Sequence, residues 1–132
     1  MKKNFGVLLA AAVVTLLATS AFADMASDVA TARNEAALAA KSNDMEVVQI
    51  HLHRSANCLV SPESGSYWPR PGTPCGATEG AIAQSTLTLQ KKRLSDAATK
   101  LVAGCNQSEL NDAHRYANEA IKLLDSAMAS DE

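Results

Sequence analysis

The chain has 132 residues, 20% of them charged, 47% hydrophobic and only 4% aromatic, with a formal charge of −2. That length holds one modest domain. The mild acidity gives no reason to expect nucleic acid or an anionic membrane surface as partner.

Residues 1–23 read as a cleavable signal peptide. Lys2 and Lys3 form a positive start, Gly6 to Ala18 is apolar and uncharged, and Ala21-Phe22-Ala23 offers small residues ahead of Asp24. The apolar run falls short of the ~20 residues a bilayer span needs, so no stable membrane anchor is expected. The short basic start fits a bacterium, and the expected location is periplasmic or secreted. Residues 24–132 then form the working domain. Removing Lys2 and Lys3 from the 12 basic residues leaves 10 against 14 acidic ones, a net charge near −4. Both phenylalanines leave as well, so the alanine-rich remainder keeps only Tyr67, Trp68 and Tyr116 as aromatics.

The spacing predicts helices over roughly 26–41, 44–60, 79–103 and 107–128. Met45, Val48, Leu52, Ser55/Ala56 and Leu59 share one face of the second. Leu87, Leu94 and Leu101 mark a heptad on the third. Leu110, Ala113, Ala117, Ile121, Leu124 and Met128 form a stripe on the fourth. Asn43 with Glu46, and Asn106 with Glu109, have the spacing of capping boxes, and Gly104 is placed to end the third helix. Between helices 2 and 3, residues 61–77 contain Pro62, Pro69, Pro71 and Pro74 with Gly65, Gly72 and Gly76, which rules out regular helix. No alternating β pattern competes. The expected fold class is all-α: an antiparallel four-helix bundle of two helical hairpins joined by this Pro/Gly-rich loop. His53-Arg54-Ser55-Ala56-Asn57 also parallels His114-Arg115-Tyr116-Ala117-Asn118, by duplication of the halves or by chance in alanine-rich sequence.

Cysteines stand at 58, 75 and 105. Cys58 ends helix 2 and Cys75 precedes helix 3, at one end of the bundle. Cys105 lies at the other end of a helix some ~35 Å long. An oxidising compartment therefore selects a Cys58–Cys75 disulfide that staples the loop. Cys105 is left either buried and inert or available for an intermolecular bond.

No catalytic motif is present: there is no G-x-S-x-G, H-E-x-x-H, phosphate loop or C-x-x-C, so an enzyme is not expected. Without Cys-x-x-Cys-His, haem c attachment is not expected either. The polar candidates are His51, His53 and His114. His51 and His53 lie ~200° apart on a helix and cannot easily share a metal. His53 and His114 fall at similar distances past Asn43 and Asn106, so parallel helices 2 and 4 would bring them to similar heights. Boundary histidines with no shared role are the alternative. In the loop, Tyr67 and Trp68 either cap the open end of the bundle or recognise a ligand or protein.

The run His51-Leu-His-Arg-Ser-Ala-Asn-Cys-Leu-Val60, with its loop ending Pro74-Cys75, resembles small exported bacterial proteins. The alanine-rich helical hairpins with histidines resemble small periplasmic four-helix metal-binding proteins, which are far richer in histidine. That resemblance implies sequestration or sensing of Cu, Ni or Zn through His53 and His114, with His51 third. The rival expectation is a non-catalytic periplasmic interaction module that docks on a partner protein through the Tyr67/Trp68 loop.

Overall fold

A computed structural model describes residues 12–76 and 79–129, with side chains from Asp24 onward. The start of the expected signal peptide, its side chains and Ala77 at the end of the expected loop lie outside the described residues. Among those described, the chain forms five helices and no strand: α1 (Ala12–Lys41), α2 (Met45–Leu59), α3 (Ala81–Gln84), α4 (Thr88–Cys105) and α5 (Leu110–Met128).

α1 begins at Ala12 rather than near residue 26, and other helix ends depart from expectation for local reasons. Asp44, not Asn43, caps α2: its carboxylate accepts from the backbone N–H of Glu46 at 2.9 Å and of Val47 at 3.4 Å. Asn106 instead follows the last turn of α4, and α5 starts at Leu110 with no side-chain cap. The expected third helix is broken between Gln84 and Thr88 into α3 and α4. There the Ser85 hydroxyl donates to Gln90 Oε1 at 2.7 Å, in a buried turn that draws it away from the helical path.

The principal pairings set α1 against α2 and α5, α2 against α4, and α4 against α5. Their core is alanine with a few large leucines. Leu52, Leu59, Leu94, Leu101 and Leu124 are fully buried, among Ala32, Ala36, Ala56, Ala97, Ala113 and Ala117. The expected stripes are therefore largely the buried ones, except that Met128 is exposed and Met45, Leu87, Leu110 and Ile121 are only partly covered. Gly104 lies within α4 rather than terminating it. A β-carbon there would meet Leu52 Cδ1 at 3.0 Å and Tyr116 Cβ at 3.1 Å, so the glycine serves close helix approach.

Polar groups tie the helices together from within. The Ser55 hydroxyl donates to Ala32 O at 2.7 Å. Buried Gln90 donates to Ala127 O at 3.3 Å, and Arg93 to Ser126 O at 2.9 Å. Glu35, almost fully buried on α1, lies 2.6 Å from His51 Nδ1 and 3.2 Å from Arg54 on α2.

Asp28, also on α1, is 5% exposed and accepts from the Gln84 amide at 2.9 Å. Burial pushes its carboxyl above the ordinary value; the Gln84 hydrogen bond opposes this, and the charge of Asp24 adds to it. The folded state thus holds the proton more tightly than the unfolded chain. Stability falls as pH rises from the ordinary carboxylate range through the raised value. Asp28→Asn, which keeps the acceptor for Gln84, is expected to be the more stable protein at pH 7 and to lose that advantage below pH 4. Urea melts at the two pH values check this, and equal stability at pH 7 would show that the carboxylate is adequately solvated.

Candidate functional site

The disulfide joins Cys58 and Cys75 as expected, with 5.4 Å between their α-carbons. It fixes the loop that follows α2, but a second anchor sits beside it. Asn57, 3% exposed in the last turn of α2, uses its whole side-chain amide on loop backbone. Its Nδ2 donates to Trp68 O at 2.7 Å and Gly72 O at 2.9 Å, while Oδ1 accepts from the Trp68 N–H at 3.0 Å. Gly72 has φ +78°, a turn conformation suited to glycine, which carries its carbonyl to Asn57. The sequence does signal this clamp: Asn is a poor residue for a helix interior, and here it immediately precedes a stapled cysteine.

The clamp makes a specific prediction. Asn57→Asp keeps the acceptor but sets a carboxylate oxygen against two carbonyl oxygens, whereas Asn57→Ala merely removes the bonds. Alanine is expected to cost about 2 kcal/mol and aspartate more, since a charged acceptor is then held without a donor. Chemical denaturation would rank them, and an aspartate variant as stable as the parent would show that the loop is held by other contacts.

Held this way, Trp68 does not seal the bundle. It is 49% exposed, with its ring 4.3 Å from that of His53, centroid to centroid, at an interplanar angle of 34°. Desolvation lowers the pKa of His53, and its Nδ1 is buried without a hydrogen-bond partner. The imidazole is therefore neutral at pH 7 and supports the indole as a flat surface. Together they border an open groove of ≈ 480 Å³ between α2, the loop and the α4–α5 turn. Ile50 and Cys105 line it, and Glu46 and Arg70 are among its charged residues. The Cys105 thiol is free, and burial pushes its pKa up to about 12, which keeps it protonated. Tyr67 is half-buried beside the groove rather than in it, with its N–H donating to Ser64 O at 3.0 Å.

The three histidines occupy three separate surroundings. His51 faces α1 and Glu35, His53 faces Trp68, and His114 Nε2 lies 2.7 Å from Ser42 O in the α1–α2 turn. The expected level match of His53 and His114 rested on counting from Asn43 and Asn106. In the structure His114 is four residues into α5, level with Ser42, while His53 is eight residues into α2. That offset is about 12 Å of helix. Among the described residues, no group of three or more His, Cys, Asp or Glu side chains is placed to hold a metal ion. No described helix is long and apolar enough to cross a membrane. No family model, curated protein or solved structure matches the chain.

Proposed function

We propose that the chain is an exported, non-catalytic protein-interaction module, an antiparallel four-helix bundle of α1, α2, α4 and α5 that presents the Trp68 loop to a partner. The helix pairings support the bundle, because contacts run in opposite chain order. Arg33 meets Asp125 while Ser42 meets His114, and Arg93 meets Ser126 while Lys100 meets Glu119. The Cys58–Cys75 bond and the export-like start support a working place outside the cytoplasm.

One observation carries the docking role: the only tryptophan is half exposed, yet its backbone is clamped on both sides by a buried amide. The exposed half of the indole gains nothing for the fold. Held rigid, it loses little further entropy when a partner covers it, the condition under which a large aromatic contributes most to binding. Metal capture has less support, since two of the three histidines already contact protein atoms at 2.6–2.7 Å.

Photo-crosslinking in the producing cell tests this reading. A benzophenone amino acid at position 68 is expected to give a discrete adduct, and the same group at exposed Lys122 none. Absence of any adduct at 68, or equal labelling from 122, would count against a docking role for the loop.

A further inference from the structure

The groove beside Trp68 carries both halves of a charge pair. Glu46 and Arg70 both line it and are both exposed. Neither has an ion-pair partner among the described residues. Arg33, Arg54, Lys92, Lys100 and Arg115 are paired with a carboxylate within the chain, whereas Lys41, Lys91 and Lys122 share the unpaired state of Arg70 among the described residues.

The spacing of these groups is regular. Ile50, 38% exposed, lies one turn of α2 beyond Glu46 and one short turn before His53, which carries Trp68 and the Arg70 end of the groove. These steps are about 6 Å and about 4.5 Å along the helix. Ile50 is thus near the middle of a strip with Glu46 toward one end, Arg70 toward the other, and an uncharged lining of Ile50, Trp68, Gln49 and Asn106. Val47, also exposed, lies one short turn before Ile50 on the same helix. A strip of this kind is complementary to itself. A two-fold axis near Ile50 sets Ile50 against its equivalent, brings each Glu46 opposite the Arg70 of the other copy, and covers both indoles.

We infer that the partner of this groove is a second copy of the chain, docked about a two-fold axis through the Trp68–Ile50 strip with reciprocal Glu46–Arg70 pairs. The inference rests on reading the groove as a docking site. The strip is small beside the ~800 Å² per partner of a stable interface, so the dimer is a reversible one that depends on concentration. His53 contributes no charge to it at pH 7, which leaves the two reciprocal ion pairs to set the register.

Sedimentation equilibrium on the oxidised protein is the test. The average mass is expected to rise from that of one chain toward twice that value between about 10 µM and about 1 mM. By symmetry, Glu46→Arg alone or Arg70→Glu alone turns both pairs into like-charge contacts, and each is expected to weaken the dimer at least about tenfold. The double reversal restores opposite charges across the axis and is expected to recover most of that loss, and Trp68→Ala is expected to abolish association in either background. A protein that stays monomeric at about 1 mM, or a double reversal no better than the single variants, overturns the inference. The crosslink at position 68 separates the two levels of the reading. An adduct of twice the chain mass supports the second copy; an adduct with a different protein overturns it and leaves the docking role standing; no adduct removes both.

Discussion

Replacing Cys58 and Cys75 together by serine is expected to lower stability by about 3 kcal/mol, or about 15 °C in Tm. The bond spans 17 residues of a segment with four prolines and no regular structure, whose unfolded ensemble is broad without it. Its loss also has a local reading. Asn57 adjoins Cys58, so the staple holds the loop in the position where one amide reaches both Trp68 and Gly72. In the serine variant those bonds must order the loop alone, and the emission of the single tryptophan is expected to shift to the red before the helices melt. Urea melts followed by both tryptophan emission and circular dichroism check this. Coincident transitions with a loss below about 1 kcal/mol would show that Asn57 and the loop's own packing already suffice.

Leu52→Ala is expected to cost about 3 kcal/mol or more, although it removes only a few methyl groups. Leu52 is fully buried, and its Cδ1 faces Gly104 of α4. The penalty for such a truncation depends on how far the surroundings collapse into the space left behind. Here they have little freedom to do so: much of the core is alanine that cannot extend, and Gly104 already brings the helices close at Leu52. In a core this rich in alanine, each of the few leucines supplies a large share of the buried apolar area. Leu52→Met, which conserves volume, should cost less than about 1.5 kcal/mol. An alanine variant within about 1.5 kcal/mol of the parent would mean that α2 and α4 slide together to close the gap.

The placement of the candidate site shows where reading along the chain succeeds. The loop, its staple and its tryptophan were all legible, because prolines, glycines and cysteines act through short-range covalent and steric rules. The histidines were not. Their positions along helices were evident, but their partners depend on where α5 begins, and Asn106 proved to follow α4 rather than start α5. An error of three residues in a helix start turns a side chain by most of a turn and moves it about 4.5 Å along the axis. That shift supplies part of the offset that places His114 at Ser42 instead of beside His53.

Asn57 shows the converse. Its sequence context gave a reason to look, but nothing local says that its amide will meet residues 11 and 15 positions away. The break at Ser85 is of the same kind. A serine in the midst of helix formers is weakly unfavourable, and only the buried Gln90 acceptor makes leaving the helix worthwhile.

By itself, then, the sequence determined that the chain is helical, that its buried stripes fall on Leu52, Leu94, Leu101 and Leu124, and that Cys58 pairs with Cys75. Each of these follows from helical period, backbone restriction or chain length, all properties of neighbours in sequence. Only the tertiary structure decided that Trp68 stands open over His53, that Glu46 and Arg70 share one groove, and that the three histidines part company. Those outcomes depend on the rotation of each helix about its axis and on the path of the loop, which are set by packing between segments distant in the chain.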